Sequence, residues 1–351
     1  MNFSKNKRHR VGFIKSLPFF PLVLPFFFAL SPGCTPISNS EVVVYTSVDQ
    51  FYSEPALKEF EKLSGIKVLA VYDVEAAKTT GLVNRLIAEK ANPRADLFWS
   101  GEFAQTILLK EKSILSPYKS SMAEGIPRQY MDIEGYWTGF SGRARVIIVN
   151  TKQLEAKDYP ISIFSFLDAG IPAGKIGMAN PLFGTTATHA AALYAALGPE
   201  KGRDYFSKVY ERGIKIVDGN SVVRDMVAAG ELWMGLTDTD DFCAAQEKKE
   251  PVAAVLPDQD SLGTLVIPNT AALVAGSKHQ FEAKKLMDFL VSEKTEQMLV
   301  NSGWCQVPLR PLDIKRSCID SSKIRMMNTG MEAVYSQLGP ARKELTEIFM
   351  K

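Results

Sequence analysis

The residues most suited to chemistry form the run Asp238-Thr239-Asp240-Asp241, which follows an apolar stretch. Carboxylates are hard oxygen donors that suit Fe³⁺, Ca²⁺, Mg²⁺ or Mn²⁺, and they equally suit the ammonium group of an organic ligand. The same run is also a good loop and helix-capping sequence, so one or two of these aspartates could merely cap a helix starting near Phe242. A second segment, GTTATH at 184–189, follows Pro181 and leads into an Ala-rich stretch. Thr185 and Thr186 thus sit where a helix start leaves N–H groups and a positive dipole end open to an anion. Asn220 and Ser221 head another helical pattern in the same way, and ordinary capping explains all four residues without a ligand. In the string SGRAR, Arg143 can clamp an anion or hold a carboxylate, whereas Arg145 reads as structural. His189 lies in the first turn of a helix, where a lone histidine is more often structural than a ligand.

Several chemistries lack their motif. No GxSxG, H-E-x-x-H or paired CxxC pattern occurs, which makes a hydrolase a distant alternative. No GxxxxGK[ST] loop occurs either.

The elements that must position these groups alternate. Residues 41–46 (EVVVYT), 66–72 and 95–99 read as strands, with helices at 55–64 and 78–89 between them. This order predicts an α/β fold with a largely parallel sheet. Further on, strands are expected at 145–150, 214–217, 231–236, 252–256, 265–267 and 271–275. Helices are expected at 162–167, 187–197, 221–229, 281–290, 295–301 and across the tail from 321. Two such halves with short connectors suggest two lobes joined by crossing strands, with a ligand between them. Tyr45, Trp99 and Trp137 are candidates for the cleft mouth, Trp137 more readily for core or hinge packing.

The first 33 residues carry Lys5, Lys7, Arg8, Arg10 and Lys15, then an apolar run from 17 to 30, then small residues before Cys34. That is the pattern of an export signal. The Cys after small residues resembles a bacterial lipobox with Cys34 as the lipidated first residue, although Pro32 stands where a small residue is usual. Plain cleavage and an uncleaved anchor stay open. Loss of 1–33 would turn the formal charge from +2 to −3. Three cysteines besides Cys34 then remain. Cys305 and Cys318 are close enough in sequence to pair and leave Cys243 over, or all three could be buried thiols. Apolar residues make up 46% and charged residues 23% of the 351-residue chain, which excludes a mainly disordered, collagenous or multi-span membrane protein. The near-neutral balance gives no reason to expect a nucleic-acid partner.

The string VVVYTSVDQFYSEPALKEFEKLSGIKV resembles the opening of the family 1 extracellular solute-binding proteins of ABC importers, which are type 2 periplasmic binding proteins. GLVNRLIAEKANPRADLFWSGE, GYWTGFSGRARVIIVNT and KLMDFLVSEKTEQMLVNSGWCQVPLRP resemble the ferric-iron branch. The resemblance implies two lobes closing on cargo around a two-strand hinge, 41–142 plus 266–317 and 143–265 plus 318–351. It implies a monomeric exported binding component, no prosthetic group, and a membrane permease with a separate ATPase as partners. In that branch iron is held by a group after the first strand, a Glu after the third and a tyrosine pair in the second lobe. These positions fall on Asp49, Glu102 and, as a departure, Asp240 and Asp241. The implied cargo is Fe³⁺ with a synergistic anion, held by Asp49, Glu102, Asp240 and Asp241, with Asp238 in the same acidic pole. Arg143, Thr185, Thr186, Asn220 and Ser221 would serve the anion. The missing tyrosines keep a small organic zwitterion bearing a phosphate, phosphonate or carboxylate as the alternative. A receptor-coupled sensor is more distant.

Overall fold

A computed structural model describes residues 40–73, 80–302, 307–314 and 318–350. The expected export signal, Cys34 and Cys305 lie outside the described residues. The strands are β1 (Glu41–Thr46), β2 (Lys67–Tyr72), β3 (Leu97–Ser100), β4 (Leu115–Ser116), β5 (Thr138–Asn150), β6 (Ile176–Ala179), β7 (Lys215–Val217), β8 (Met234–Asp238), β9 (Val252–Val255) and β10 (Val266–Val274). The helices are α1 (Gln50–Ser64), α2 (Thr80–Ala88), α3 (Phe103–Glu111), α4 (Gly184–Leu197), α5 (Pro199–Arg212), α6 (Asn220–Ala228), α7 (Thr239–Glu247), α8 (Gln280–Leu290), α9 (Glu293–Asn301) and α10 (Met331–Phe349). None of the described helices is long and apolar enough to cross a membrane.

The β-branched run of β1 pairs in parallel with β2 and β3, setting Val44 against Leu97. Apolar Leu57 and Phe60 of α1 sit one helical turn apart and bury against this sheet, and Gly65 closes the helix in the left-handed conformation. In the other half β6 lies parallel to β7 and β8. The halves meet through two long strands. Every residue of β10 is buried, and it runs antiparallel to β3 on one side and β5 on the other. The first part of β5 pairs with β10, and its second part pairs with β8 and β9. One strand therefore belongs to both sheets.

These crossing strands are longer than the sequence pattern suggests. The strand expected at 145–150 begins at Thr138, and the two expected at 265–267 and 271–275 are one. The polar, glycine-rich string TGFSGRAR conceals a strand because its glycines allow close approach. A Cβ on Gly142 would stand 2.6 Å from the Ile267 carbonyl oxygen. The bend falls at Ser141, which has φ +44°, opposite a register shift between Pro268 and Asn269. Buried Glu296 of α9 accepts the Ser141 N–H at 2.6 Å, the Leu309 N–H at 2.7 Å and Arg310 Nε at 2.8 Å. A left-handed serine is costly, and these bonds over-determine it.

Helix α1 starts five residues before the expected 55, with Pro55 inside it. Helices α3 and α5 were not expected at all. The tail crosses between the halves. Tyr335 of α10 donates to Glu111 of α3 at 2.9 Å, and farther along α10 Glu344 accepts from Tyr194 of α4 at 3.0 Å. Tyr45, Trp99 and Trp137 are core residues and not cleft walls, and Trp137 alone follows its favoured reading.

The cysteine pairing also differs from the expected one. Cys318 is bonded to Cys243 of α7, with Cα atoms 5.7 Å apart. Sequence proximity favoured Cys305, but the tail returns past α7 and brings a residue 75 positions away into reach. Because the bridge closes a long loop, Cys318→Ser should cost about 2–4 kcal/mol in a urea melt under oxidising conditions. A reductant should lower the wild-type midpoint and leave that of the variant in place.

Candidate functional site

The strand ends and helix starts converge on one cavity of about 600 Å³. From the first half, Asp49 stands at the N-terminus of α1 and Glu102 at the N-terminus of α3. Both follow the C-terminal end of a strand, where a parallel sheet presents its loops. From the second half come Thr185 of α4 and Asp240 of α7, and Arg143 comes from the crossing strand β5. Five of the ten expected binding residues therefore line one space.

Glu102 faces Thr188, whose hydroxyl donates to its carboxylate at 3.3 Å across the two halves. Burial pushes the Glu102 carboxyl up to about 7, against the opposing pull of Thr188, the Ala104 backbone and Arg143. Arg143 donates to the Gly101 carbonyl at 3.2 Å and lies 3.8 Å from Asp240 Oδ2. Asp240 Oδ1 is buried and has no hydrogen-bond partner. Burial, with the Asp238 charge nearby, raises the Asp240 carboxyl even though Arg143 lowers it.

Of the other five residues, four are engaged elsewhere and Ser221 is exposed. Asp238 is buried and accepts from Arg145 at 2.6 Å, from Thr185 at 2.7 Å and from Asn220 at 3.1 Å. Arg145 is fully buried and donates as well to Thr185 at 2.9 Å, to Asn220 at 3.2 Å and to Thr186 at 3.1 Å. The Thr185, Thr186 and Asn220 groups expected to hold an anion are thus committed to an internal arginine and its aspartate. Arg145 is structural, as its place beside the strand implied. Asp241 accepts from Thr237 at 3.0 Å and pairs with Arg224 at 3.1 Å, and burial with the two neighbouring aspartates pushes its carboxyl up to about 6. Ser221 is exposed on α6, away from the cavity.

Oxygens of Asp238, Asp240 and Asp241 lie within 4.8 Å of one another, a spacing that a metal ion could use. Each carboxylate nevertheless has its own arginine, so the acidic pole is largely neutralised. Only Asp240 combines an unpartnered oxygen with a place in the cavity wall. Asp238 holds the capping position of α7 without a side-chain cap bond.

Sequence reasoning missed Tyr52, Thr188 and Arg342, all in the cavity wall. Tyr52 follows Asp49 by three positions, a signal hidden by starting α1 too late. Thr188 lies one turn after Thr185, so helical spacing could have found it. Arg342 comes from α10, and nothing local in the sequence points to it. His189 is buried behind the wall and does not line it.

Two mixed α/β halves, joined by crossing strands around a shared polar cavity, define a two-lobed binding protein. The chain belongs to the bacterial extracellular solute-binding proteins, a family whose sequence profile matches residues 92–320. It is similar to iron uptake protein A1 of Synechocystis, with 23% identity over 323 residues covering 89% of this chain and 88% of that protein. It is 25% identical to the major ferric iron-binding protein of Neisseria meningitidis over 284 residues, 78% of this chain and 82% of the relative. The fold matches a Trichodesmium protein solved in complex with iron and citrate, at TM-score 0.80 and 21% identity, covering 89% of this chain and all of that one.

Replacing Arg145 by Met should cost about 3–5 kcal/mol in a denaturant melt, because Asp238 is left buried without its cation. Arg145→Met with Asp238→Asn should recover part of that loss. His189 supplies a second test. Burial, aided by the nearby Arg145 charge, drives its imidazole down to about 3. The unfolded chain, with an ordinary histidine near 6.5, binds this proton first as pH falls. This group's contribution is therefore complete above about 6.5 and is lost between there and 3. The loss is on the order of a few kcal/mol. His189→Gln should flatten that part of the stability–pH curve, as followed by urea melts.

Proposed function

We propose that this protein is the exported capture component of an ABC importer, with ferric iron as cargo held between the lobes. The observation that carries the reading is the meeting of Glu102 and Asp240 in one cavity. One comes from each half, and Asp240 keeps an oxygen without a partner. The printed cargo of the Synechocystis and Neisseria relatives supports the choice of metal. Glu102 and Asp240 are the principal ligands, and Asp49 lies in the same wall. Carboxylates replace the phenolate pair of the resembling branch, and both are hard donors suited to Fe³⁺.

The lobes in this reading are 41–142 with 266–317, and 143–265 with 318–351. Packing of α10 along α4 and α5 supports placing most of the tail with the second lobe. Closure follows from differential affinity. Cargo that bridges Glu102 and Asp240 binds the closed form better than the open one, so it shifts the population toward closure. The closed form would then engage a permease worked by a separate ATPase, with the protein tethered to the membrane through lipid on Cys34.

Glu102→Ala and Asp240→Ala should each weaken ferric iron retention by at least roughly tenfold in competition with a chelator of known affinity, with an unchanged far-UV spectrum. Wild-type retention in both variants would remove the acidic pole from the account. Stable binding of a phosphonate or amino acid, with no iron retained, would select the organic zwitterion instead.

A further inference from the structure

Helix α10 is held at its two ends by different halves of the molecule. At its start Met331 and Val334 are fully buried, and Tyr335 donates to Glu111 of α3 at 2.9 Å. Toward its far end Glu344 accepts from Tyr194 of α4 at 3.0 Å, and Arg203 of α5 donates to Glu347 at 3.2 Å. The Phe349 ring meets that of Tyr210 of α5 edge-on, with centroids 5.7 Å apart. One end is thus pinned to the first half and the other to the second.

Between the pinned ends the helix is weak. Gly339 and Pro340 stand near its middle. Proline has no N–H to give the Ser336 carbonyl, and its ring crowds that carbonyl. Glycine loses more backbone freedom in a helix than any other residue. Neither residue serves packing. Both are exposed, and beyond its chain neighbours and its own helix a Cβ at 339 would meet nothing within 4 Å. The weak point borders the cavity, since Leu338, Gly339 and Arg342 stand in its wall. Helices bend sharply at such residues.

We propose that α10 is a strap across the cavity and that it flexes at Gly339–Pro340 when the halves part, as a hinge additional to the crossing strands β5 and β10. With both ends held, the halves cannot separate along this side unless the helix bends or one end lets go. A break in the middle lets it bend with both ends in place. Such hinges need only a few residues that absorb the change in backbone angles. The strap governs how fast cargo enters and leaves. The proposal rests on the closure reading above and adds the element that limits the movement.

Two measurements test the strap, the first without cargo. In hydrogen exchange on the cargo-free protein, amides at 339–343 should exchange at least roughly tenfold faster than those at 345–348. In a protein carrying both Gly339→Ala and Pro340→Ala that contrast should vanish, and the urea midpoint should rise because the helix is completed. Equal protection along α10 in the wild type would overturn the proposal whatever the cargo. The second measurement follows release of ferric iron to an excess of a coloured chelator by stopped flow. The stiffened protein should release roughly tenfold more slowly than wild type. Adding Tyr335→Phe, which removes the bond to Glu111, should recover part of the rate. Release at the wild-type rate from the stiffened protein would overturn the strap and leave the iron reading standing. A wild type that takes up no iron would overturn the cargo reading, and the exchange experiment would still decide the strap.

Discussion

The ion pair between Arg145 and Asp238 sits where the two sheets share a strand, and the arrangement of the site follows from it. Removing both charges from water costs several kcal/mol per ion, and attraction alone does not restore that. Part of the cost is offset because Thr185, Thr186 and Asn220 supply further hydrogen bonds, although Arg145 Nε has no hydrogen-bond partner among the described residues. Those side chains come from α4 and α6, and Asp238 ends β8, so one guanidinium fixes the relative placement of three elements. The start of α7 is set by the same contact. Asp240 is thereby held two residues beyond a fixed point, where it faces the cavity.

The first half reaches the same space by a different route. Glu102 ends the turn after β3 and meets Thr188 across the cleft. Arg143, two residues before Arg145 on the same strand and so on the same face, joins the Gly101 carbonyl of one half to Asp240 of the other. The bend at Ser141, with Glu296 and Arg310 behind it, lies two residues farther back along the strand. Arg143 thus lies between the Ser141 bend and Arg145, where the pairing of β5 changes from β10 to β8.

Much of the fold was legible in the sequence, because buried strands such as EVVVYT and amphipathic helices such as 281–290 carry their periodicity locally. The long crossing strands were not, since the polar, glycine-rich stretch before Arg145 carries no strand pattern and only pairing with β10 makes it strand. The acidic pole was found by residue type and resemblance, but its neutralisation by three arginines was not. Pairing of Asp241 with Arg224, or of Asp238 with Arg145, depends on which elements become neighbours. The anion site shows the same limit. A hydroxyl-rich helix start invites an anion, and here an arginine from another strand had already filled that role. The Cys243–Cys318 bridge was hidden for the same reason, as was Arg342, which reaches the cavity only because the tail folds back over α4.

Anomalous diffraction at the iron edge, on crystals loaded with ferric citrate, tests the central claim most directly. The account requires an iron peak in direct contact with Glu102 and Asp240, with Asp238 still paired to Arg145. An iron peak bound by Asp238, with Arg145 displaced from it, would contradict the claim that this buried pair is the fixed frame of the site.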